Sequence, residues 1–166
     1  QKQALLANPV GDVLETREPG GTEGAAFESK AASQLPAQYR TAIVGILPFV
    51  NLGDTDEYFA DGLTEDLIHA LSLQSFYRVL SRSSTFAFKG QNLGARLIAR
   101  EIDATYLIQG SVRRGGNKLR VTAELIAPET GAQLWTGRYD RDMGDLFALQ
   151  DELTTSLSAA LAPEIF

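Results

Sequence analysis

The chain has 166 residues, of which 44% are hydrophobic and 22% charged, proportions typical of a globular protein with one core. Its formal net charge of -6 argues against direct contact with nucleic acid, which depends on many Lys and Arg side chains facing phosphates. The absence of cysteine and the single histidine, His69, exclude disulfides, thiolate metal sites and sites built from several histidines. The most apolar run, residues 41–52, is much shorter than the roughly 20 residues that span a bilayer, so membrane insertion is not expected.

Residues 1–40 have the composition of a linker arm. Gly, Pro, Ser and Glu cluster in "REPGGTEGAAFES" and "SQLPAQ", and the apolar residues between them show no sustained period. We expect this arm to dock on apolar surface of the folded domain, residues 41–166, or of a second copy of the chain in a homodimer.

The folded domain is predicted to begin with a strand and a helix. "TAIVGILPFV" is apolar and β-branched without alternation, which is typical of a strand buried on both faces and ending at Pro48. Asp54, Thr55 and Asp56 can cap the helix that follows. Its apolar residues recur at helical spacing: Phe59, Leu63, Leu67, Ala70 and Leu71.

A second strand and helix follow. "YRVLSRSSTFAF" predicts a strand that enters a Ser-rich turn. The short helix after it is indicated by a predicted apolar stripe, which consists of Leu93, Leu97, Ile98 and Ile102.

Three antiparallel strands and a long helix complete the domain. "GGN" forms a tight hairpin turn between "TYLIQGSVRR" and "KLRVTAELIA", and "PETG" forms the next turn before "AQLWTGRYD". The last helix is predicted to end near Pro163, with its buried stripe formed by Leu146, Leu149, Leu153, Leu157 and Leu161. The predicted fold is therefore α/β (α+β), with a mixed five-stranded sheet in the order βαβαβββα and the first strand central.

Long motifs in this order closely resemble a known family. "AIVGILPFVNLGDTDEYFADGLTEDLIHAL", "YRVLSRSSTFAFKG" and "IDATYLIQGSVRRGGNKLRVTAELIAPETGAQLWTGRYDRDMGDLFALQDEL" are similar to the TolB amino-terminal-like domain of bacterial adenylate/guanylate cyclases and winged-helix transcriptional regulators. The resemblance implies a non-catalytic regulatory or interaction module whose partners are domains of the same polypeptide, usually including tetratricopeptide repeats. It implies a cytoplasmic location, or a periplasmic one if a transmembrane segment precedes the domain.

Catalytic motifs lack their partners in this sequence. Asp61 and Glu65 share a helix face, as an acid/base pair would, but a solvated helix face explains them equally well. "GGNK" precedes a strand, whereas a phosphate-binding loop opens a helix. We therefore expect no enzymatic activity, no cofactor and no metal site.

One group of residues is a candidate ligand site. Ligands favour the crevice beyond the carboxyl ends of parallel strands, and polar residues are predicted there. The candidates are Asn51, Arg82, Ser83, Ser84 and Arg113. Arg and hydroxyl donors suit a small anion or a nucleotide, whereas turn-stabilising serines and solvated arginines are the alternative interpretation. A ligand sensor is thus the alternative to a relay module.

Overall fold

The computed structural model describes residues 41–53, 57–74 and 76–165. Within them, six strands form one mixed sheet, and the elements in chain order are β1 (Ile43–Ile46), β2 (Val50–Asn51), α1 (Glu57–Ser72), β3 (Arg78–Val79), α2 (Arg82–Phe86), α3 (Ala95–Ile102), β4 (Tyr106–Gly115), β5 (Lys118–Ala127), β6 (Ala132–Asp142) and α4 (Leu146–Ile165). A 3-10 turn at Met143–Asp145 joins β6 to α4. The predictions for residues 1–40, including the docked arm and the homodimer, and for capping by Asp54, Thr55 and Asp56 lie outside the described residues.

The predicted α/β fold with a mixed sheet is confirmed. The strand order is β3-β1-β4-β5-β6, in which β1 is parallel to both β3 and β4, and β4, β5 and β6 are antiparallel neighbours. The first strand is therefore interior, as predicted, although β4 occupies the middle of the order. Along the described ranges, none of the helices is both long and apolar enough to cross a membrane.

The first strand is interrupted at Pro48, and this makes the sheet six-stranded instead of five-stranded. Leu47 N–H donates to Ile108 O at 2.8 Å, and Leu52 N–H donates to Val112 O at 2.8 Å. Between these two bonds the chain leaves the ladder, because Pro48 has no N–H to donate. The chain then rejoins β4 as β2, with Val50 paired to Ser111.

One face of the sheet carries the main core. Alternate residues of β5 point into it, as their alternation in the sequence predicted; these fully or almost fully buried residues are Leu119, Val121, Ala123 and Leu125. Helix α1 contributes Leu63, Leu67 and Leu71. Helix α4 contributes four leucines with no exposed surface: Leu149, Leu153, Leu157 and Leu161.

The segment between β1 and β4 differs from its prediction. Of the predicted second strand and its turn, residues 77–88, only Arg78–Val79 pairs with β1, and the Ser-rich residues after it form the helix α2 instead of a turn. Thr85 is fully buried, so this short helix is fixed to the domain by more than its own hydrogen bonds. Helix α3 begins at Ala95, and the predicted stripe is only partly buried, since Leu93 and Leu97 are 39% and 48% exposed.

A buried hydroxyl replaces the missing ladder contact where the chain leaves the sheet. Thr64 in α1 is fully buried, accepts a hydrogen bond from Phe49 N–H at 2.9 Å and donates to Ala60 O at 2.9 Å. Thr64→Val keeps the side-chain shape but leaves the Phe49 N–H without its acceptor. We expect it to lower the free energy of unfolding by about 1 to 3 kcal/mol, measured by urea denaturation.

The control is Thr155→Val, because Thr155 is exposed on α4. That change should stay within about 0.5 kcal/mol. If the two substitutions had equal effects, the Thr64 hydroxyl would not be the contact that stabilises this break in the strand.

Candidate functional site

A cleft of about 610 Å³ lies beyond the carboxyl end of β1. Its walls are the segment 47–51, the first turn of α1, the segment 88–93 before α3, and the middle of β4 and β5. This volume falls in the range of about 300 to 1,000 Å³ that is usual for small-molecule pockets. The polar side chains that line it include Asn51, Asp61, Lys89, Gln91, Gln109 and Glu124.

A glycine in the middle of β4 allows an aromatic side chain to form part of the cleft. A Cβ on Gly110 would overlap the carbonyl oxygen of Thr122 and would lie 2.6 Å from Cε2 of Phe49. Only a residue without a side chain therefore lets the Phe49 ring pack against the strand. Phe49 is 2% exposed and joins the cleft to the main core.

Asp61 is more buried than Lys89, the cation that it contacts in the cleft: 16% of the Asp61 side chain is exposed, against 40% for Lys89. Its Oδ2 accepts a hydrogen bond from Lys89 Nζ at 2.7 Å, which ties α1 to the segment after α2. Its Oδ1 is buried and accepts no hydrogen bond within the described part of the chain. A solvated helix face, one of the two interpretations of Asp61 and Glu65 from sequence, therefore does not describe Asp61.

Glu124 is held by two amide side chains. Gln109 Nε2 donates to Oε1 of Glu124, and Gln133 Nε2 donates to Oε2 at 2.5 Å. This network fixes the Glu124 carboxylate across three neighbouring strands, because Gln109 lies on β4, Glu124 on β5 and Gln133 on β6.

A second depression, lined mostly by charged residues, lies at the β4–β5 hairpin end of the sheet. Lys118 Nζ donates to Asp142 Oδ1, and Arg120 Nε donates to Asp140 Oδ1, both at 2.7 Å. The hydrogen bond from Arg120 lowers the pKa of Asp140, and the bond to Asp142 raises the pKa of Lys118. These pairs are solvent-exposed, so they contribute little to stability.

The structure does not bring the five predicted site residues into one pocket. Only Asn51 lines the cleft. Arg82 forms an ion pair with Glu65 of α1, and its guanidinium carbon lies 4.2 Å from the ring centroid of Phe86. Helix α2 also carries the two serine candidates. Ser83 is exposed, and Ser84 Oγ lies 3.4 Å from Ser81 Oγ.

The fifth candidate, Arg113, lines the depression at the hairpin end. It directly follows Val112, the register partner of Asn51, but successive residues of a strand point to opposite faces of the sheet. The remaining lining residues were not predicted from sequence. Gly110 was a signal that could have been used, because an isolated glycine inside a strand indicates the close approach of another group. Among the described residues, no group of three or more His, Asp or Glu side chains is placed to hold a metal ion.

Comparison with known protein sequences gives a clear relative. The chain is 45% identical over 130 residues to "Putative adenylate cyclase 3" of Rhizobium meliloti, and the match covers 77% of this chain. The chain spans only 22% of the length of that relative. No family model matches the chain.

Solved structures with the same fold include two bacterial proteins. Lipoprotein GNA1162 from Neisseria meningitidis has a TM-score of 0.54 at 17% identity, and the match covers 70% of this chain and 96% of that one. TolB from Acinetobacter baumannii has a TM-score of 0.53 at 13% identity, and the match covers 74% of this chain and 28% of that one. The chain therefore has a fold that also occurs in TolB, and it corresponds in sequence to one segment of a protein named as an adenylate cyclase.

Proposed function

We propose that this chain is a non-catalytic regulatory domain of a multidomain signalling protein, in which it relays or scaffolds between an effector domain and repeats. The supporting observation is the match to the Rhizobium meliloti relative, which takes up 77% of this chain but 22% of that protein. An adenylate cyclase domain is the effector that this match favours. A cytoplasmic location, where such an effector finds ATP, belongs to the same proposal.

Three acidic side chains of α1 have structural partners, and this supports a non-catalytic role. Asp61 binds Lys89, Glu65 binds Arg82, and Asp66 accepts a hydrogen bond from Gln150 at 2.8 Å. These contacts connect α1 to α2, to the segment after it and to α4. The three carboxylates thus hold elements of the domain together.

Helix α4 is the element best suited to relay a signal. It contacts β6 through Tyr139 Oη, which donates to Ser156 Oγ at 2.9 Å, and through Arg141, whose Nη2 lies 3.0 Å from Glu152 Oε2. Together with the Asp66 contact, these bonds link α4 to both the sheet and α1. A partner changes the balance between two conformational states of such a protein only if it binds them with unequal affinity. A movement of α4 between two such states would change all of these contacts.

The alternative is a sensor for a small anion or a nucleotide, and the cleft gives it less support. Lys89 is the only cation among the residues that line the cleft in the described part of the chain, and it is paired with Asp61. Arg82 is paired with Glu65, and Arg113 lies at the other depression.

A domain exchange tests the proposal. We expect deletion of the matching segment from the Rhizobium meliloti relative to change its cyclase activity, and insertion of this chain in its place to restore the original level. The purified 166-residue chain alone should convert no ATP to cyclic AMP. Turnover by the chain alone, or a deletion that left the activity and assembly of the relative unchanged, would overturn the proposal.

A further inference from the structure

We infer that the cleft beyond β1 binds a small organic amine. Such a molecule has a protonated nitrogen that donates hydrogen bonds and is attached to an apolar body. The nitrogen would bind the Asp61 carboxylate, and the apolar body would pack against Phe88 and Leu93. This inference concerns a ligand and is independent of the cyclase relationship.

The first observation is the incomplete hydrogen bonding of Asp61. Its Oδ2 is occupied by Lys89, whereas its Oδ1 is buried without a partner in the described residues. Buried polar atoms are nearly always hydrogen-bonded in folded proteins, and a carboxylate oxygen can only accept. The missing partner is therefore a donor. Oδ1 itself has almost no accessible surface, so a donor in the cleft, which Asp61 lines, reaches this oxygen when the carboxylate rotates toward the cleft.

The charge of the cleft selects the kind of donor. Among the described residues that line it, there are two carboxylates, Asp61 and Glu124, and one cation, Lys89. Both oxygens of Glu124 already accept hydrogen bonds from glutamine side chains, and Lys89 is bound to Asp61. A phosphate or carboxylate would meet an excess of negative charge here, whereas an amine would be attracted.

The apolar lining indicates the rest of the ligand. Phe49, Phe88, Leu93 and Ile98 line the same cleft as Asp61. Leu93 is 39% exposed, so part of this apolar wall is open to solvent. A pocket with an apolar wall and a few polar groups is the usual form of a small-molecule site, and an aromatic or aliphatic amine matches both parts.

The test is a titration of the whole 166-residue chain followed by protein NMR. The probes are 2-phenylethylamine, tyramine and cadaverine, with phenylacetate and 2-phenylethanol as the acidic and neutral analogues. We expect at least one amine to shift the amide signals of Gly90, Leu93 and Gly110 with a Kd of about 1 mM or below, and phenylacetate to bind at least about tenfold more weakly.

Two variants and a matched control locate the site. Asp61→Asn should weaken binding of the amine by about tenfold or more, while Glu65→Gln, one helical turn away and outside the cleft, should leave it within about twofold. Leu93 is partly exposed, so Leu93→Arg is expected to fold, and it should abolish amine binding. It therefore tests the site even if Asp61→Asn proves unstable. The inference is overturned if no amine shifts the cleft signals at about 10 mM, if phenylacetate binds as tightly as 2-phenylethylamine, or if Leu93→Arg binds like the original chain.

Discussion

Leu153→Ala should lower the free energy of unfolding by about 2 to 5 kcal/mol. Leu153 lies in the middle of α4, has no exposed surface and belongs to the main core with Leu149 and Leu157. Its truncation removes apolar contacts and leaves a cavity, because well-packed neighbours relax only partly around a lost side chain. Urea denaturation measures the change through the midpoint, provided that the m-value is unchanged.

Thr155→Ala on the same helix is the matched control. Thr155 is exposed, so its substitution should change the free energy of unfolding by no more than about 0.5 kcal/mol. A loss below about 0.5 kcal/mol for Leu153→Ala would show that α4 is not docked on the sheet in solution.

The core could be predicted because its residues follow the period of their own element. Leu119, Val121 and Leu125 alternate along β5 and are buried, as a strand with one face on the core requires. The leucines of α4 recur at spacings of three and four, and four of the five are fully buried. In both cases the neighbouring residues in sequence are enough to predict which side chains are buried, because the burial pattern follows the period of a single strand or helix.

The break in the first strand and the helix α2 depend on distant contacts instead. Pro48 marks the point where the strand stops. The chain rejoins β4 at Val50, and between the two points the Phe49 N–H is bound by the Thr64 hydroxyl of α1. Likewise, Arg82 follows β3 as predicted, yet its side chain turns to Glu65 on α1. Spacing within a strand or loop does not reveal which remote side chain a charged group will meet.

Most of the lining of the cleft was missed for the same reason. Asp61 and Lys89 are 28 residues apart in sequence and meet only because the fold brings α1 and the segment after α2 together. Gln109 and Glu124 face each other across the predicted β4–β5 hairpin, but the sequence did not indicate that this pair lines the cleft. The sequence placed Asn51 in the crevice beyond β1, and Asn51 lines the cleft there. The chemistry of its lining depended on which side chains the segment 88–93 and the strands β4 and β5 supplied.

Gly110→Ala should destabilise the protein by about 1 to 3 kcal/mol or more, because the new Cβ would enter space that is already filled. The new Cβ would overlap the backbone oxygen of Thr122 in β5 and press on the Phe49 ring, so the sheet itself would have to move.

The control is Gly62→Ala, since Gly62 lies inside α1 and a Cβ there would meet no atom within 4 Å. Alanine is the better helix former, so this second change should stabilise the protein by about 0.5 to 1 kcal/mol. Urea denaturation of both variants under the same conditions gives two shifts of opposite sign; a Gly110→Ala midpoint equal to or above that of the original chain would show that Phe49 does not pack against β4 as described.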